Sequence, residues 1–173
     1  HIYLITGIVT SRAWFDKLPA DQQKILAEET FAAGKWASEA TIASLAARYR
    51  PTAIIWHQGE SDLALRTSAD SYKRDFGAIV AQLRAQWPDA PILVSVSTKC
   101  LPMFPGWRAD NAIAQAQREL VDPARRILAG VDTDALFSEA DRSDACHMSR
   151  SGQEKFAAAY AGLVAKASTA GGQ

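Results

Sequence analysis

The stretch "SYKRDFGAIVAQLRAQWPDAPILVSVSTKC", Ser71 to Cys100, carries a helix, a stop and a strand in succession. Tyr72, Phe76, Ile79, Val80, Leu83 and Trp87 recur at helical spacing and form one apolar face. Asp75, Arg84 and Gln86 lie off it. Trp87-Pro88-Asp89-Ala90-Pro91 stops the helix, because proline lacks an amide hydrogen and disfavours helix in the residue before it. Ile92 to Val96 follows as a buried strand.

The pattern repeats on both sides. Upstream, Asp21 to Tyr49 is rich in Ala, Glu, Gln and Lys, with Ile25, Ala32, Trp36 and Ala40 at roughly helical spacing. Leu18-Pro19-Ala20-Asp21 supplies its start and Arg50-Pro51 its end. Thr52 to Trp56 is then a β-branched strand without alternation, as expected where both sheet faces are covered. Downstream come a Pro- and aromatic-bearing loop from Leu101 to Trp107, a helix over Asn111 to Val121 and a third strand over Arg126 to Val131. A last helix starts near Ser151, where Ser151 and Glu154 have capping-box spacing, and buries Phe156, Tyr160, Leu163 and Ala167. Strands alternating with helices predict an α/β fold with a parallel sheet between helical layers, its ligands beyond the carboxyl ends of the strands.

Composition narrows the class. A chain of 173 residues favours one domain of average size. Lys+Arg and Asp+Glu are both 19, so no basic balance points to nucleic acid or to an anionic membrane surface. No apolar run is long enough to span a bilayer. The opening His1-Ile2-Tyr3-Leu4-Ile5-Thr6 does not read as a signal peptide, and the chain lacks an initiator Met, so a segment upstream is expected.

Each strand is followed by a loop that should open on the carboxyl edge. The first carries His57-Gln58-Gly59-Glu60-Ser61-Asp62, the second Ser97-Thr98-Lys99-Cys100, and the third ends in Asp144-Ala145-Cys146-His147. The three-residue spacing of Asp144 and His147 lets a carboxylate hold one imidazole nitrogen and leave the other to take a proton, as a general base must. The same spacing also serves an Asp–His pair that merely ties down a loop. Gln58 offers an amide donor for a developing oxyanion, and Gly59 allows close backbone approach. The bland alternative is a glycine turn with Gln58 in solvent.

"WHQGESD" with "DACHMSRSGQEKFAAAY" resembles the SGNH hydrolases, in the carbohydrate acetylesterase branch that includes sialate O-acetylesterases and acetyl xylan esterases. The resemblance covers about Ile42 to Ala167. It implies a flavodoxin-like three-layer α/β/α sandwich, and ester hydrolysis without metal or cofactor. The substrate it implies is an acetylated carbohydrate or other small acyl ester. By it, Gln58 is the side-chain oxyanion donor, Gly59 supports its loop, and Asp144 and His147 are the acid and base of the triad. Glu60 and Asp62 would organise the loop. Secreted or periplasmic location is implied as well. Adjacent parallel strands would bring Cys100 and Cys146 close, bridged if the protein is exported; two separate thiols are the alternative.

The nucleophile block of that family, an early Gly-Gln-Ser-Asn or Gly-Asp-Ser after the first strand, is not visible. The domain is therefore expected to be incomplete on its N-terminal side. Ser11, in Thr6-Gly7-Ile8-Val9-Thr10-Ser11, is the only early strand-turn-serine, without the flanking residues. Ser61, inside the oxyanion block, is a poor alternative. "RAWFDKLPADQQKILAEETFAAGKWASEA" resembles instead part of the solute-binding subunits of tripartite dicarboxylate transporters, over about Ile2 to Ala40. The expectation is a composite chain, with residues 1–45 of different origin from an SGNH-like domain over 46–173. Its activity would be impaired. A non-catalytic solute-binding or interaction fragment is the alternative.

Overall fold

The computed structural model describes residues 15–169. The chain forms two compact units, His1–Arg50 and Pro51–Gln173. The first contains helix α1, Ala20–Ala46, entered from Pro19. A proline suits that place because a helix leaves its first amide groups unpaired. The expected apolar face of α1 is not buried: Ile25 and Trp36 are 56% and 71% exposed. Ser11 and the rest of the first fourteen residues lie outside the described residues.

The second unit is α/β. Strands β1 (Ile54–Trp56), β2 (Ile92–Val96) and β3 (Ile127–Asp132) form a parallel sheet in that order. Ile54 pairs with Ile92, and Ile92 with Ile127. Between the strands run α2 (Glu60–Ala64), α3 (Ala69–Gln86) and α4 (Ala112–Glu119). The short α5 (Thr133–Leu136) and the long α6 (Arg150–Thr169) follow β3. All five residues of the central strand β2 are buried, which is why it shows no alternation. β1 is shorter than its sequence predicts and Ile55 is partly exposed, so one face of this edge strand is only half covered.

Helices cover both faces of the sheet. On one, Leu93 and Leu128 pack with Tyr160, Phe156 and Leu163 of α6. The Tyr160 hydroxyl meets Ser95 Oγ at 2.5 Å and accepts from the Val131 amide at 3.2 Å, so the aromatic's polar end is satisfied inside the core. On the other face, Phe76 of α3 meets the Trp56 ring edge-on, with centroids 5.4 Å apart. Tyr72 packs there with Ile113 and Ala116 of α4. Each buried aliphatic side chain here stabilises by about 1.5–3 kcal/mol. Of the face expected for α3, Tyr72, Phe76, Val80 and Leu83 are buried, while Ile79 is half-buried.

The caps explain the boundaries. Ser68 and Asn111 accept from the third amide of α3 and α4, at 3.1 and 2.9 Å. The last helix differs from its sequence reading. It begins at Arg150, and Ser149 Oγ receives the Gly152 amide at 3.4 Å. Ser151 turns back to Asp141 Oδ1 at 2.9 Å, and Glu154 pairs with Arg150, so Ser151 and Glu154 form no capping box.

Candidate active site

The chemistry-bearing loops gather at the carboxyl edge of the sheet, beyond Trp56, Val96 and Asp132. In the third loop, Asp144 Oδ2 lies 2.7 Å from His147 Nδ1. Asp144 Oδ1 accepts the backbone amides of His147 and Cys146 at 2.7 and 3.0 Å. This one carboxylate therefore builds the turn and fixes the imidazole. The hydrogen bond from the His147 ring, then its backbone amide, pull the Asp144 carboxyl down to about 2. It is ionised at neutral pH and needs the hydrogen on Nδ1. Among the described residues, nothing engages His147 Nε2, and the His147 side chain is 79% exposed.

Ala145 has φ 61°, in the left-handed region that costs a non-glycine residue about 1 kcal/mol or more. The turn is held in this conformation from outside. A disulfide joins Cys146 to Cys100 beyond β2. The Leu101 amide donates to the Ala145 carbonyl at 3.3 Å, and Arg142 Nη1 to the Cys146 carbonyl at 2.9 Å.

In the first loop, the Gln58 side-chain amide donates to Asp62 Oδ2 through a very short contact. The Gln58 carbonyl accepts from the Tyr72 hydroxyl at 2.9 Å and from Gln117 Nε2 at 2.6 Å. Gly59 is buried against β2: a Cβ there would sit 2.5 Å from the Ser97 carbonyl. Only glycine lets the two backbones approach this closely.

Beneath the surface lies a polar network that sequence spacing did not reveal. Ser97 Oγ donates to Glu60 Oε1 at 2.6 Å and lies 3.1 Å from His57 Nε2. Thr133 Oγ1 donates to the Val96 carbonyl at 3.0 Å and lies 3.3 Å from the same nitrogen. Both hydroxyl hydrogens are thus committed elsewhere, and the network assigns the ring hydrogen to His57 Nε2. Ser97 and His57 resemble a nucleophile–base pair only in distance. His57 Nε2 donates and cannot accept, and Ser97 is 1% exposed. Burial pushes the His57 pKa below its usual range, against the neighbouring charges of Glu60 and Asp134.

A second buried element ties the loops together. Asp134 accepts the Thr98 amide at 2.9 Å, the Thr98 hydroxyl at 2.6 Å and the Lys99 amide at 2.9 Å. Arg142 lies 3.7 Å from Asp134, and their side chains are 4% and 5% exposed. Asp134 carried a faint signal in sequence, as a carboxylate two residues past a strand end. Arg142 carried none, since an arginine beside acidic residues reads as solvated surface.

A parallel α/β unit with an Asp–His pair and a Gln-Gly loop on its carboxyl edge has the parts of a hydrolase-type site. Residues 29–166 match the family described as carbohydrate esterase, sialic acid-specific acetylesterase, and the chain belongs to that family. The match begins inside α1. No curated protein and no solved structure matched. No helix among the described residues is long and apolar enough to cross a membrane. No His/Cys/Asp/Glu group there could hold a metal ion.

Proposed function

We propose that the chain carries the acid–base half of an acetyl-ester hydrolase acting on acetylated carbohydrate, on a flavodoxin-like sandwich of the SGNH type. The observation that carries this is the 2.7 Å contact of Asp144 Oδ2 with His147 Nδ1, with Nε2 open at the sheet edge. His147 Nε2 takes the proton of an attacking hydroxyl as its oxygen bonds to the ester carbonyl carbon. The negative charge developing on the carbonyl oxygen is met by the second N–H of the Gln58 amide. The sugar hydroxyl leaves with the proton from His147, and water repeats the sequence to release acetate. Asp144 holds the ring in the right tautomer and stabilises the imidazolium. The Cys100–Cys146 bridge supports an oxidising, exported setting.

A second reading rests on a specific observation. No hydroxyl among the described residues reaches His147 Nε2. Without a nucleophile beside the base, most catalysis is lost, and the chain would bind an acyl sugar or a protein partner without turnover. An acetyl-ester assay separates the two. The expected result is weak turnover that disappears with His147→Ala. Robust turnover lost in both His147→Ala and Ser11→Ala would make Ser11 the nucleophile. Turnover untouched by His147→Ala would overturn the acid–base reading.

A further inference from the structure

We propose that Gln117 is a positioning residue for Gln58: from α4 it clamps the Gln58 backbone and so aims the Gln58 side-chain amide at the developing oxyanion. The inference deepens the function proposed above and rests on that reading for the role of Gln58.

Gln117 stands out on its own helix. The buried residues of α4 are Ile113, Ala114, Ala116 and Gln117, and the first three are apolar. Gln117 is 1% exposed, so its amide is out of water. A buried amide destabilises unless its polar groups are paired, and here they are. Oε1 accepts the Ser97 amide at 3.0 Å. Nε2 lies 2.6 Å from the Gln58 carbonyl, 3.1 Å from the Tyr72 hydroxyl and 3.3 Å from the Ser97 carbonyl. Turning the amide over would set its oxygen against those carbonyls and its nitrogen against the Ser97 N–H, so its orientation is fixed.

The bonds of Gln117 tie the chain beyond β2, at Ser97, to the chain beyond β1, at Gln58. The shortest of them goes to Gln58. Tyr72 adds a second donor to the same carbonyl at 2.9 Å, and its hydroxyl oxygen accepts from Trp56 Nε1 at 3.0 Å. Burial raises the pKa of Tyr72, so the hydroxyl keeps the hydrogen it donates. Gly59 closes on the clamp as well: a Cβ there would collide with Gln117 Nε2. The Gln58 carbonyl is thus held by α3 and α4 together, and its side-chain amide by Asp62 of α2. With both ends held, the second N–H of the amide is preorganised. A donor lowers the barrier only when it already points at the place where charge develops.

The test is heteronuclear NMR of the Gln58 side-chain amide in the whole chain, with turnover of 4-nitrophenyl acetate alongside. Gln117→Met keeps the length of the side chain and removes its bonds to Gln58 and Ser97. It should move the Gln58 amide resonances toward those of a solvated amide. It should lower kcat about tenfold and leave KM unchanged, because the donor acts on charge that exists only in the transition state. Gln115→Met, at an exposed position of α4 that bonds Glu119, should change neither. Tyr72→Phe removes the second donor and should shift the same resonances, which decides the matter if Gln117→Met does not fold. Gln58 resonances that stay in place in the folded variant would overturn the proposal. So would a rise in KM alone, or an unchanged kcat while Gln58→Ala abolishes turnover. The NMR reading needs no turnover, so a chain without measurable hydrolysis still decides it. Displaced resonances, with turnover that survives Gln58→Ala, would leave Gln117 as the holder of this loop and defeat the oxyanion role of Gln58.

Discussion

Arg142 Nη1 donates to the carbonyl of Cys146 at 2.9 Å, so a buried guanidinium anchors the turn that presents His147. The same nitrogen binds the Lys99 carbonyl, and Nη2 reaches toward the Thr133 carbonyl at 3.4 Å. Arg142→Met would leave these carbonyls without a donor and Asp134 without its cation. Removing one partner of a buried pair costs about 3–5 kcal/mol. Arg142→Lys should cost less but still measurably, because a point charge cannot serve several carbonyls as a planar fork does. Urea unfolding gives both values. A loss below about 1 kcal/mol for Arg142→Met, the scale of an exposed ion pair, would mean that the guanidinium does not anchor the turn.

The sheet was legible because its signals are dense. Tyr72, Phe76, Val80 and Leu83 share a helical period, two prolines follow, and Ile92 to Val96 is apolar enough to be buried on both faces. The Asp144–His147 contact was legible because three residues suffice to close it. His57 with Ser97, and Arg142 with Asp134, were not. Their partners are 40 and 8 positions apart; the first pairing exists only once parallel strands align their ends, and the second only once the chain beyond β3 folds back on itself. Ser151 misled for a related reason: Ser149 is the better-placed cap, and Asp141 draws Ser151 away.

The Cys100–Cys146 bridge closes a 46-residue separation. Constraining a loop of that length in the unfolded chain contributes roughly 4 kcal/mol. Reduction, or Cys100→Ser with Cys146→Ser, should lower the unfolding temperature by several degrees. Ala145, in its left-handed conformation, should relax when the bridge is gone. Thermal unfolding with and without reductant checks the first point, and hydrogen exchange at residues 144–147 the second. Unchanged melting after verified reduction would argue against the bridge as a constraint.

Asp144 should titrate at about 2, held down first by the His147 ring and then by its backbone amide. Its folded pKa is depressed below the usual 3.8, so its contribution to the turn is present above that value. That contribution fades as pH falls toward 2. His147→Ala removes the largest cause and should let the carboxyl rise toward its ordinary range. Carbon-detected NMR titration of the Asp144 carboxyl reads this directly. A midpoint near 3.8 in the unaltered protein would mean that the 2.7 Å contact does not persist in solution.

His57 gives the opposite end of the acid response. It is held by Ser97, Thr133 and the Phe156 ring, with Glu60, Asp134 and Arg142 as its charged neighbours. Burial is the largest influence and lowers its pKa below the usual 6.5, although the two carboxylates pull the other way. The unfolded chain therefore binds the proton first as pH falls. Stability should rise with pH between the folded pKa and 6.5, and decline once pH drops below 6.5. Protonation would also put a second charge into a network whose hydroxyls are already committed, loosening the loop that carries Gln58. His57→Gln removes the titrating group and keeps an N–H donor for Ser97 and Thr133. It should flatten the slope of unfolding free energy against pH over roughly pH 7.5 to 5, whatever it does to the absolute level. The difference between the two slopes isolates His57. Parallel slopes for wild type and His57→Gln would show that the buried imidazole does not drive the acid sensitivity.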